Sequence, residues 1–272
     1  MTMKIRQVFA VATASVALTA LSACGGAAAE PEAAAAKPTV VLVHGAFADS
    51  SSWNGVVQIL RSEGYPVVAV ANPLRGLRPD ADYVRSVVDH VSGPVVLAGH
   101  SYGGSVMSEA ADGAPNVKAL VYVASFILEP GESTSQLAAR FPGAELGPAL
   151  DTVPFPLPGG GTGNDLYIRQ DQFQKVFAAD VAENLTTTMA ATQRPIAATA
   201  LEDPATKAAW KSVPSWNLVA TGDLAVPAEA GRFMGERANA QTVEVDASHA
   251  VTVSQPGAVA ELIGAAAGAV TS

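Results

Sequence analysis

The sequence predicts an α/β fold: a mostly parallel sheet with helices on both faces and a small helical cap inserted late in the chain. Three observations carry that expectation. Short apolar runs alternate along the chain with stretches of helical periodicity. The runs are almost wholly apolar, as strands buried on both faces require. One interval between core strands, residues 125–215, is about ninety residues long, far beyond an ordinary loop.

Thr39 to Val43 is a β-branched strand that runs into His44-Gly45-Ala46-Phe47. A helix over Ser51–Glu63 follows, with Trp53, Val56, Val57 and Leu60 at helical spacing and Gly64 as its stop. Pro66–Val70 reads as the next strand, and Asp80–Val91 as a helix with Asp80 at its N-cap. Pro94–Ala98 is a core strand, Gly104–Ala111 a helix and Val117–Val123 another buried strand. After the long interval come a strand at Trp216–Ala220 and a helix at Pro227–Arg237. Thr242–Val245 is the last strand and Pro256–Val270 the last helix. Phe126, Phe141, Phe155, Tyr167, Phe173, Phe177 and Trp210 fall within 125–215, so that insertion is expected to form a lid over the carboxyl edge of the sheet.

Gly99-His100-Ser101-Tyr102-Gly103 lies where a core strand gives way to a helix. A serine between two glycines on such a turn is the nucleophile-elbow arrangement. The turn brings the positions two before and two after the serine together, so both call for glycine. A serine hydroxyl is a weak nucleophile and needs a base, itself oriented by a carboxylate. His249 follows the last strand and is the only histidine after the elbow helix, which makes it the expected base. Asp223, just beyond the strand Trp216–Ala220, is the expected acid, with Asp246 and Glu129 as rivals. The amides of Ala46 and Tyr102 are the expected oxyanion hole, Ala46 being preferred over Phe47. Phe47, Trp53 and Phe126 are the expected pocket residues, although core packing accounts for Trp53 equally well.

The 272 residues are 49% hydrophobic and 15% charged, enough for a sizeable core, with a net charge of −9. That charge repels phosphate backbones, so nucleic acid is not expected as a partner. Four histidines and one cysteine show no clustered spacing, so neither a metal nor another cofactor is expected. Lys4 and Arg6 precede an apolar run from Val8 to Leu21, which is too short to span a bilayer. Leu21-Ser22-Ala23-Cys24 then resembles a bacterial lipobox, with the chain's one cysteine at the position that receives the lipid. Residues 1–23 therefore read as a signal peptide and 24–37 as a flexible tether, with export and a membrane anchor at Cys24 expected. An ordinary secretory signal is the alternative.

Across residues 38–271 the chain resembles the α/β-hydrolase fold superfamily, and within it the branch of salicylate-ester esterases and hydroxynitrile lyases. The matching pieces are Val-Leu-Val-His-Gly-Ala (41–46), Gly-His-Ser-Tyr-Gly-Gly (99–104), Tyr-Val-Ala-Ser-Phe (122–126), the Asp223 to Pro227 turn and the stretch 248–256. The resemblance implies a Ser101–Asp223–His249 triad and a small helical cap. The lyases of the branch carry threonine and lysine where this chain has Gly45 and Ala250, so cyanide chemistry is not expected. The expected function is a cofactor-independent serine hydrolase, a carboxylesterase acting on a small ester through an acyl-enzyme. The alternatives are perhydrolysis or cofactor-free haloperoxidation on the same triad, and a tethered protein that only binds an apolar ligand.

Overall fold

The structure, a computed structural model, describes residues 36–271. In chain order, β1 (Thr39–Val43), α1 (Asn54–Ser62), β2 (Val67–Val70) and α2 (Leu77–His90) come first. β3 (Val95–His100), α3 (Tyr102–Ala111) and β4 (Val117–Val123) complete the first half. The insertion holds α4 (Thr134–Arg140), β5 (Leu150–Pro156), β6 (Thr162–Ile168), α5 (Gln170–Phe177), α6 (Glu183–Thr192), β7 (Ile196–Ala197) and α7 (Ala198–Glu202). β8 (Ser215–Ala220), α8 (Ala228–Arg237), β9 (Gln241–Val245), α9 (Val251–Ser254) and α10 (Pro256–Thr271) close the fold.

Six strands form one sheet in the order β2-β1-β3-β4-β8-β9, and every pairing in it is parallel. Side chains alternate across such a sheet with a period of two. Val40 and Leu42 therefore point into one apolar cluster, with Trp53, Val56 and Leu60 at the start of and along α1 and Val259 and Ile263 of α10. Val41 and Val43 point the other way, towards Val84 and Val88 of α2, Val106 and Met107 of α3 and Met234 of α8. Both faces are covered, as the unbroken apolar runs require. From β1 the chain moves outward to β2, then returns past β1 to β3, so the strand order reverses between β1 and β3. Ligands bind beyond the carboxyl ends of strands at such a switch point.

Two features differ from expectation. The cap is not wholly helical: β5, β6 and β7 form a separate antiparallel sheet of three strands beside its short helices. α2 begins at Leu77, with Gly76 in the cap position, so Asp80 lies inside the helix rather than at its start. Its buried carboxylate accepts the Arg75 amide hydrogen at 3.0 Å and the Tyr102 hydroxyl at 2.9 Å. The leader, most of the tether and Cys24 lie outside the described residues. Among the described residues no helix is long and apolar enough to cross a membrane.

Candidate active site

Ser101 stands between β3 and α3 with φ 54° and ψ −128°, a strained conformation for a residue that is not glycine. Its surroundings hold it there. The Ser101 amide donates to Val123 O at 3.2 Å, and its carbonyl accepts from Ser125 Oγ at 2.6 Å and Gly104 N at 3.0 Å. A Cβ at Gly99 would lie 2.6 Å from the carbonyl oxygen of Gly103, and one at Gly103 would strike the carbonyl oxygen of Val43. The tight turn therefore requires both glycines, and it sits directly on the end of β1. A Cβ at Gly45 would come within 2.6 Å of Ser101 Cβ. The loop after β1 thus passes against the serine itself.

Asp223 follows β8 in a tight turn. Its Oδ1 accepts the amide hydrogens of Ala225 and Val226 at 2.7 and 2.8 Å. Its Oδ2 lies 2.6 Å from His249 Nδ1, and both side chains are buried. A hydrogen on Nδ1 satisfies this contact and leaves Nε2 as the basic nitrogen of the ring. Asp223, rather than Asp246 or Glu129, is the carboxylate that meets the imidazole. Glu129 is occupied elsewhere, 2.6 Å from Lys211 Nζ.

The loop bearing His249 is tied to the elbow through His100, the residue before Ser101. His100 Nε2 is 2.9 Å from the His249 carbonyl oxygen, and the two ring centroids are 4.7 Å apart. The cap holds the same loop from the other side. Phe177, the last residue of α5, turns its ring edge-on to His249 with centroids 4.9 Å apart. The Phe177 carbonyl accepts the Ala250 amide hydrogen at 2.8 Å. Ser248 Oγ lies against that carbonyl at 3.3 Å and against the Asp180 carboxylate. Burial works to raise the Asp180 pKa, but hydrogen bonds, Ser248's first among them, hold it below the usual value.

Among the expected oxyanion donors, Tyr102 is the first residue of α3, where amides have no intrahelical partner. The Phe47 amide donates to Arg194 O at 3.1 Å, whereas Ala46, Ser101, Tyr102, Phe47 and Phe126 all line one cavity of about 330 Å³. Its remaining walls are mainly apolar, from α4, Leu146, Leu150 and Leu201. Trp53 is a correction: it does not line this cavity but is buried in the opposite cluster, edge-on to His100 at 6.4 Å. His100 stands inside the elbow motif but has no role of its own in that pattern, and Asp180 lies in no motif, so sequence singled out neither. Phe177 was noted only as one of many aromatics in the insertion.

A family model described as "Alpha/beta hydrolase family" matches residues 40–262. The chain belongs to the alpha/beta hydrolase family. It is 29% identical over 254 residues to alpha/beta hydrolase nvfD of Aspergillus novofumigatus, covering 85% of this chain and 97% of that one. It is 29% identical over 253 residues to a pyrethroid hydrolase of Sphingobium wenxiniae, covering 82% of this chain and 85% of the relative. Polyneuridine aldehyde esterase shares the fold, with a TM-score of 0.73 at 21% identity over 84% of this chain and 98% of that structure. In the alpha/beta hydrolase family the elbow, acid turn and final loop follow in the order found here.

Proposed function

We propose that this member of the alpha/beta hydrolase family is a serine carboxylesterase. Ser101 Oγ attacks the ester carbonyl as His249 Nε2 takes its proton, and Asp223 holds the ring and stabilises the imidazolium. The amides of Ala46 and Tyr102 receive the oxyanion. His249 returns the proton to the leaving alcohol, then takes one from the water that hydrolyses the acyl-enzyme. Two observations carry this reading together: the buried 2.6 Å contact between His249 Nδ1 and Asp223, and a strained serine that lines an apolar cavity. Relatives named as hydrolases and esterases favour the same reading. The leader and Cys24 extend the proposal to an exported, lipid-anchored enzyme, for which loss of fatty-acid labelling in Cys24→Ser is the test.

For the chemistry, turnover of p-nitrophenyl esters and covalent labelling by a fluorophosphonate probe are measured in the wild type and in Ser101→Ala. Both signals should vanish in the variant while circular dichroism shows an unchanged fold. Ester turnover that survives in the folded variant removes the proposal.

A further inference from the structure

A second cavity of about 340 Å³ lies beyond the first, between residues 47–55, the α6 face of the cap and Val253 of α9. Among the described residues, Phe47 is the one that contributes to the walls of both cavities. It is buried, has φ 60°, and has its amide held by Arg194 O from the cap. A bulky aromatic in the left-handed region is costly, and such strain persists only where the surroundings over-determine it.

We propose that Phe47 divides the substrate space into two compartments, and that the second takes the alcohol half of an ester whose acyl half fills the first. This assignment rests on the esterase reading. The first cavity holds the serine and the oxyanion donors and has largely apolar walls, which suits an apolar acyl chain. When the tetrahedral intermediate collapses, the bond from carbon to the alcohol oxygen breaks. The proton that His249 took from Ser101 then passes to that oxygen, so the alcohol half must extend towards the histidine loop. Val253, four residues after His249, stands in the wall of the second cavity. There Ser52, Asn54 and Thr192 stand beside Leu185 and Met189. That wall matches a bulky alcohol that has both a hydrocarbon body and a hydroxyl group. The substrate class is therefore an ester of an apolar acid with a bulky, hydroxylated alcohol.

The test compares kcat/KM for methyl hexanoate and hydroxymethylbenzyl hexanoate in the wild type and in Met189→Trp, which fills the second cavity. The ratio of the bulky to the methyl ester should fall about tenfold in the variant. Phe47→Ala is the second variant. It removes the aromatic side chain that walls both cavities and should raise the ratio of methyl hexadecanoate to methyl hexanoate turnover about tenfold. Near-ultraviolet circular dichroism checks each fold, and if one variant does not fold the other ratio decides. Ratios that stay at the wild-type value in enzymes still active on methyl hexanoate overturn the partition alone. A wild type that cleaves no ester and takes no fluorophosphonate label overturns the esterase reading, and the partition with it.

Discussion

His100 donates its Nε2 hydrogen to the main-chain carbonyl of His249 at 2.9 Å, so the neighbour of the proposed nucleophile supports the loop of the proposed base. A carbonyl only accepts, which fixes the hydrogen on Nε2 and leaves Nδ1 bare. Burial, and then the nearby His249, push the His100 pKa well below its usual value, so the ring is neutral. His100→Ala should lower kcat by about a hundredfold with KM little changed, because it loosens the loop that aims the base. His100→Gln, whose amide can still donate, should recover part of that loss. A KM effect with kcat intact would mean that His100 only shapes the pocket.

The same burial makes stability depend on pH. The pKa of His44 is also lowered, by burial first; Arg194 acts in the same direction, while the Gly45 carbonyl and Asp49 oppose it. Unfolded, both histidines titrate near 6.5. Below that pH the unfolded chain gains protons that the folded protein refuses, so their contribution is complete above 6.5 and is lost on acidification towards the folded pKa values. Each can remove up to about 1.4 kcal/mol per pH unit. The unfolding midpoint should therefore fall between pH 7 and pH 5, and less steeply in His44→Gln. Equal slopes in the two proteins would show that His44 does not titrate on unfolding.

Most core strands were legible because they are apolar runs bounded by Gly, Pro or polar residues, β9 (Gln-Thr-Val-Glu-Val) being the exception, and the structure moves the strand ends by only a residue or two. The strand β5 was not legible. It contains Pro154 and Pro156 and precedes a Gly-rich turn, so the stretch reads as loop, yet β5 pairs only with β6 and an edge strand tolerates proline. Asp80 gave a false helix start because an N-cap and a buried carboxylate on the first turns look alike in sequence. Trp53 shows the same limit at the site: helical spacing marks it as apolar and inward-facing, but not which face of the sheet receives it. The meeting of His249 with Asp223 was legible from chain order together with strand-end position, since each follows a strand.

Asp223→Asn should preserve the fold, because an amide oxygen can still accept the amide hydrogens of Ala225 and Val226. It cannot hold the imidazole as the carboxylate does once the ring becomes charged. Turnover of esters should fall about 10³- to 10⁴-fold with little change in KM. A loss of tenfold or less would displace Asp223 from the role of acid.

Phe177 joins the cap to the histidine loop through both its ring and its carbonyl. Phe177→Ala retains the carbonyl and removes the ring, which should cost about 3–5 kcal/mol of stability. It should also lower kcat, since one side of the His249 imidazole loses its support. Denaturant melts and ester kinetics on the same preparation check the pair of effects. A stability loss with kcat unchanged would make the ring a packing residue only.

Asp80 and Tyr102 supply the last test. Burial, opposed by hydrogen bonds from Arg75 and Tyr102, raises the Asp80 pKa, and burial likewise pushes the Tyr102 hydroxyl upward. Asp80→Ala strands the buried Tyr102 hydroxyl and the Arg75 amide, at a cost of about 1–3 kcal/mol for each group left unpaired. Asp80→Asn accepts from the amide, donates to the hydroxyl and removes a charge that the interior disfavours. The folded protein binds the Asp80 proton more tightly than the unfolded chain does. The wild type therefore loses stability relative to Asp80→Asn as pH rises from about 3.9 through the folded pKa. Denaturant midpoints at pH 4 and pH 7 should show Asp80→Asn gaining on the wild type at the higher pH, with Asp80→Ala below it at both. Equal midpoints for the alanine and asparagine variants would show that the hydroxyl needs no partner there. Ester turnover should then also be indifferent to the change, because the Tyr102 amide would hold its place at the serine without its own side chain being anchored.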